Sequence, residues 1–96
     1  MKLVSVEKSP LPAKKLRATF QLDSGRLKHT DFGAAGMDDY TLTKDKEQRE
    51  RYRTRHEKDL RTGDPTKAGY LSYWILWGPY SNVRDNVEYY RRKYNL

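Results

Sequence analysis

The chain has no cysteine, which excludes disulfides, thiolate nucleophiles and thiolate metal sites. Long apolar runs are missing too. The densest, Tyr70–Trp77, is far shorter than the ~20 residues a bilayer-spanning helix requires. The opening Met-Lys-Leu-Val-Ser-Val-Glu lacks the apolar core of a secretory signal, so the expectation is a soluble protein inside the cell, in cytoplasm or nucleus. Neither a Ser-His-Asp set nor a Glu-x-x-His pattern can be picked out, and there are no repeats or low-complexity segments. Hydrophobic residues make up only 35% of the chain, so the core must lean on twelve aromatics, of which eight are tyrosines.

Positive charge is abundant. Charged residues are 34% of the chain and the formal net charge is +7. An excess of that size on a small domain favours polyanions: nucleic acid, an anionic membrane or an acidic protein surface. It is not confined to one tail, since residues 1–30 hold seven basic and two acidic groups and residues 44–61 hold eight and five. Ninety-six residues predict a single domain, 1–96.

The first third reads as a β-meander, 1–32. Lys2 to Lys8 alternates weakly, and Ser9-Pro-Leu-Pro-Ala13 breaks it because proline cannot sit inside a ladder. From Lys14 to Leu22 the alternation is clean: Leu16, Ala18, Phe20 and Leu22 face one way, with Lys15, Arg17, Thr19 and Gln21 opposite. Asp23-Ser24-Gly25 is a hairpin turn, and Arg26 to Phe32 returns as the partner strand.

The Gly33-x-x-Gly36 loop lacks the Gly-Lys-Ser/Thr of a phosphate-binding loop and reads as a pair of conformational hinges. Asp38 and Asp39 have no further metal ligands nearby and are expected to cap a short turn through Tyr40 and Thr41; neither a metal nor a cofactor is called for. Residues 44–61 form a charged helix, with Asp45 as N-cap and Gln48 in capping-box position. Its packing stripe is Tyr52, His56 and Leu60. Opposite charges at four-residue spacing predict the ion pairs Asp45–Arg49, Glu47–Arg51, Arg53–Glu57 and Arg55–Asp59. One flank of this helix should be paired with acids and the other left free for phosphates, and Arg49 and Arg53 are assigned to phosphates. His56, with no nucleophile or orienting acid picked out beside it, reads as a packing residue.

The remaining residues predict a buried helix over 64–78 and an amphipathic helix over 81–95. Asp64 and Pro65 suit the start of the first, and Gly78 in a left-handed conformation followed by Pro79 suits its end. Ser81 would cap the last helix, whose face is Val83, Val87, Tyr90 and Tyr94. The predicted fold is α+β: a three-stranded antiparallel meander followed by three helices, with a buried central helix. Phe20, Leu71, Trp74, Ile75, Val83, Val87 and Tyr90 are expected in one core, so truncating Trp74 should cost ~3–5 kcal/mol.

The ordered set Phe32-Gly33-x-x-Gly36-x-x-Asp39-Tyr40-Thr41, Lys44-Asp45, Arg51-Tyr52-x-x-Arg55-His56 and Thr66-x-Ala68-Gly69-x-Leu71-Ser72-x-x-Ile75-Leu76-Trp77 resembles a family of small basic proteins. That family is encoded by large nucleocytoplasmic DNA viruses of algae and protists. The resemblance spans roughly residues 14–95 and implies a viral setting and possible packaging in the virion, without implying an activity or a site. The expected function is binding of nucleic acid, duplex DNA above all, with low sequence specificity. Lys15, Arg17, Arg49, Arg53, Arg91 and Arg92 would contact phosphates, and a ring among Tyr89, Tyr90 and Tyr94 would stack on a base, with the valine spacing making Tyr90 and Tyr94 core residues first. The alternative is a non-enzymatic structural or interaction component of a virion that docks on acidic protein. An enzyme built on His56, Asp38 and Asp39 is a third reading. Nucleic-acid binding predicts that the six basic residues share one continuous face, whereas their dispersal over opposite sides would count against DNA binding and favour the interaction reading.

Overall fold

A computed structural model describes residues 1–96. Three antiparallel strands, β1 (Lys2–Lys8), β2 (Lys14–Gln21) and β3 (Leu27–Ala34), form a sheet in the order β1-β2-β3. Helices follow: α1 (Tyr40–Thr43), α2 (Lys46–His56) with a 3₁₀ extension (Glu57–Thr62), α3 (Ala68–Leu71) with a π-helical continuation (Ser72–Leu76), and α4 (Val83–Tyr94). The α+β meander-then-helices architecture read from the sequence is the one observed. The short α1 is additional, at the turn expected after Asp39.

Alternation in β2 sets the register. Leu16 pairs with Phe32, Ala18 with Thr30 and with Val6, and Phe20 with Leu3. Paired residues point to one side, so this set faces the helices, while Arg17, Thr19 and Gln21 face outward. An irregularity between Leu3 and Ser5 turns Val4 out to solvent. The Pro10–Pro12 connection is tied down: Ser9 is buried and its hydroxyl donates to Asp31 Oδ1 at 2.6 Å. The free edge of β1 is covered by the other end of the chain. Leu3 N–H donates to the Leu96 carbonyl at 3.3 Å, and the Arg91 guanidinium donates to the carbonyls of Leu3 and Val4. An uncovered strand edge invites pairing with other chains, and this one is capped at Leu3 and Val4.

The core gathers Phe20, Phe32, Leu71, Ile75 and Tyr90, all fully buried, with Val87 beside them. Two expected members differ. Trp74 and Val83 are only half-buried against the cluster, and the buried tryptophan is Trp77. Trp74 sits between the cations of Arg53 and Lys93, 4.7 and 4.6 Å from its ring, an arrangement that suits a ring at the surface.

The central helix begins later than its capping signals suggest. Asp64 accepts from Thr66 N–H at 2.9 Å and from the Thr66 hydroxyl at 2.7 Å, closing a local turn, and Lys67 stands at the N-cap. Past Leu71 the helix widens, so that Trp77 N–H donates to the Ser72 carbonyl five residues back at 3.1 Å. Gly78 does not close it in the left-handed conformation. Glycine is needed there because a Cβ would lie 1.9 Å from the Trp74 carbonyl oxygen and 2.9 Å from Asn86. Asn86, fully buried on α4, locks the junction: its amide donates to the carbonyls of Ile75 and Tyr80 at 2.8 Å each and accepts from Tyr80 N–H at 2.9 Å. The cap of α4 is Asn82, accepting from Asp85 N–H at 2.9 Å, in place of Ser81. Asn lies at the correct offset for its side chain to reach the first-turn donors.

Candidate functional site

Five of the six residues assigned to phosphates are engaged within the molecule, at separate places. Lys15 pairs with the buried Asp39 at 2.5 Å and donates to the Met37 carbonyl. Arg17 makes a two-pronged contact with Asp31 on the outer sheet face, 3.0 Å on each oxygen. The guanidinium and the Ser9 hydroxyl together hold the Asp31 carboxyl below the usual range. Arg49 binds Glu50 and the carbonyl of Gly78 at 3.2 Å and lies over Tyr40. Arg53 donates to the Trp77 carbonyl at 2.9 Å and lies 4.2 Å from the Tyr73 ring centre. Arg91 closes the β1 edge. Only Arg92 is exposed and outside every ion pair.

None of the four expected ion pairs of the charged helix forms, and its two flanks exchange roles. The Arg49–Arg53 flank faces the end of the π-helical turn, where backbone carbonyls lack helical partners. A guanidinium satisfying such carbonyls from a part-buried position outcompetes an exposed ion pair, whose worth is ~0.3–0.5 kcal/mol. The free flank is Arg51 and Arg55, extended by Lys58 and Arg61 along the 3₁₀ segment; all four are exposed and unpaired. Asp45 is the N-cap as expected, accepting from Glu47 and Gln48 N–H at 3.0 and 3.1 Å. The capping box is not completed, because the Gln48 side chain accepts from the Thr43 hydroxyl instead.

Beside the free flank lies a cleft of about 620 Å³ between the Gly33–Asp39 loop, α2 and α3. Its aromatic wall is a pile of three rings. Tyr52 stacks on Trp77 at 4.3 Å and 8°, and His56 stacks on Tyr52 at 4.0 Å and 19°. Burial and the nearby Asp59 charge push the Tyr52 hydroxyl up to about 12. His56 is not isolated as its sequence context implied. Asp59 Oδ2 lies 3.0 Å from its Nδ1, and since a carboxylate only accepts, Nδ1 carries the hydrogen. The Asp59 pairing follows from i,i+3 spacing at the start of the 3₁₀ segment, a turn that the sequence reading ran through as regular helix. Ser72 and Lys14 line the same cleft. Gly33, at φ 78°, forms part of its floor; a Cβ there would lie 2.6 Å from Leu76 Cδ1. No three His, Asp or Glu side chains are grouped to hold a metal ion.

The structure thus defines a small α+β domain with an open cationic flank leading to an aromatic-walled cleft. A family model, "Family of unknown function (DUF5754)", matches residues 4–56, from β1 through the end of α2, and the chain belongs to that family. No curated protein and no solved structure matches the chain. No helix is long and apolar enough to cross a membrane.

Proposed function

We propose that the protein binds nucleic acid through phosphate contacts, with low sequence specificity and without catalysis. The observation that carries this reading is the exposed row Arg51, Arg55, Lys58 and Arg61, four cations on one ridge with no carboxylate partner. Helical spacing from 51 to 55 to 58 places the first three on one stripe. Arg92 on α4 is a further free cation. The six residues assigned from sequence do not share one continuous face, which counts against those contacts: Lys15, Arg17, Arg49, Arg53 and Arg91 are committed to the fold at separate places, and the reading rests on the ridge in their stead. In the viral setting that the sequence resemblance implies, the bound polyanion would be genome or transcript.

Salt dependence tests the reading. Each neutralised phosphate contributes about 0.9 to the slope of log affinity against log salt, so four contacts give roughly a hundredfold loss between ~50 and ~200 mM. The double variant Arg51→Glu/Lys58→Glu should lower both the affinity and the slope. Binding that is absent at low salt, or insensitive to salt, refutes the proposal.

A second reading, docking on an acidic protein surface as a structural component, draws on exposed Met37 and Leu42. Apolar side chains beside a charged rim are typical of protein interfaces. A complex with acidic protein that survives high salt would favour it.

A further inference from the structure

We infer that the cleft takes one unpaired nucleotide, so that the protein prefers single strands or frayed ends to intact duplex. The inference rests on the phosphate-binding reading and narrows its partner. Continuity is the first support. Arg55 lines the cleft and also the shallow depression formed with Thr54, Glu57, Lys58, Leu60 and Arg61, where three cations outnumber one carboxylate, so a backbone following the ridge arrives at the cleft mouth.

Size and shape are the second. A volume of about 620 Å³ suits a nucleotide-sized ligand. A base still paired and stacked in a duplex cannot enter, because extruding it means breaking its stack and its pairing. A single strand has neither constraint. The third support is the wall. His56 ends the Trp77–Tyr52–His56 pile, and 39% of its side chain is exposed. An aromatic face of this kind accepts any base, since every base has a π face.

Charge in the cleft is balanced: Lys14, Lys15 and Arg55 face Asp38, Asp39 and Asp59, with Asp39 held by Lys15 and Asp59 accepting from His56. The pull on phosphate therefore comes from the ridge, and the cleft supplies the stacking face. The two components are separable: the ridge holds phosphates of any nucleic acid, whereas the cleft discriminates for an unpaired base.

The test is fluorescence anisotropy with a labelled oligothymidylate and a blunt duplex of equal length, at one low salt concentration. The protein is wild type, Arg51→Glu/Lys58→Glu, His56→Ala or His56→Phe. The single strand should bind about tenfold tighter than duplex, the order expected of one base stacking on an aromatic ring. His56→Ala should remove that preference by weakening single-strand binding alone. His56→Phe keeps a ring without the Asp59 hydrogen bond and should restore it, which a merely destabilised fold would not do. The ridge variant should weaken both ligands. Duplex bound as tightly as single strand, or His56→Ala weakening both equally, overturns the inference while leaving the phosphate reading intact. Failure of both ligands to bind removes the phosphate reading and this inference with it. Thymidine monophosphate lacks the ridge contacts and should compete weakly; competition as tight as the strand's would make the cleft a small-molecule pocket and overturn the inference.

Discussion

Truncating Asn86 to alanine should be among the most damaging single changes on α4, although it removes no apolar surface. Three hydrogen bonds end on this side chain, at 2.8, 2.8 and 2.9 Å, and together they fix the turn between the π-helical segment and α4. The Ile75 carbonyl is buried and would be left without a partner, which costs about 1–3 kcal/mol. The two groups of Tyr80 belong to an exposed residue, so water recovers part of their loss. Adding the small cavity left by the amide brings the total to about 3–4 kcal/mol. For a domain of this size, each kcal/mol moves the melting temperature by roughly 4–8 °C. Circular dichroism melts should therefore show Asn86→Ala at least about 12 °C below wild type. Asn82→Ala is the internal comparison, because it removes an exposed N-cap on the same helix worth about 0.5–2 kcal/mol. A melt of Asn86→Ala within about 4 °C of wild type, or above that of Asn82→Ala, would refute the reasoning.

Gly33→Ala should destabilise by about 1–3 kcal/mol, since it combines a positive φ with a Cβ driven into Leu76; urea midpoints with an unchanged slope would measure it. Trp77→Ala should cost ~3–5 kcal/mol and Trp74→Ala clearly less, and the reverse order in thermal melts would contradict the observed burial. At high pH, Tyr52 is raised from its ordinary 10.0 to about 12, and Tyr90 is raised as well by burial. The unfolded chain therefore loses these protons first, and stability should fall as pH rises from 10.0 towards about 12. Tyrosinate absorbance should accordingly show a late set of hydroxyls that ionises together with loss of near-ultraviolet dichroism; early, independent ionisation of all eight tyrosines would count against it.

Strand periodicity was the most legible part of the sequence. The Leu16–Ala18–Phe20 alternation fixed which face of β2 is buried, because a period of two admits only one register against an apolar core. The Val83–Val87–Tyr90–Tyr94 spacing did the same for α4. Helix boundaries were less legible, since Asp64 could cap either a helix or a local turn and the Thr66 hydroxyl tipped it to the turn. The basic residues were the least legible. Sequence spacing pairs Arg49 with Asp45 and Arg53 with Glu57, but it carries no information about carbonyls left open by a π-helical turn 20 to 24 residues away from Arg53. For the same reason the free flank was assigned to the wrong side of α2. The His56–Asp59 contact was within reach of sequence reasoning, being i,i+3. So was the Tyr52 ring beside it, at i,i+4 on the same stripe; the third ring was not, because Trp77 arrives from a distant helix.

Covering β1 with Arg91 and Leu96 has a consequence for how the chain comes to be folded. Arg91 follows Leu3 by 88 residues, so at ~5–20 residues per second a growing chain carries its first strand for roughly 4–18 s before the cover exists. Hairpins close in ~1–10 µs, so the meander can pair long before that. In the interval its apolar face and its outer edge are both open, at a stage when many copies emerge close together on one message. The last helix then acts as a latch, and slowing its arrival should send newly made chains towards strand-to-strand association while leaving the finished protein's own contacts unchanged.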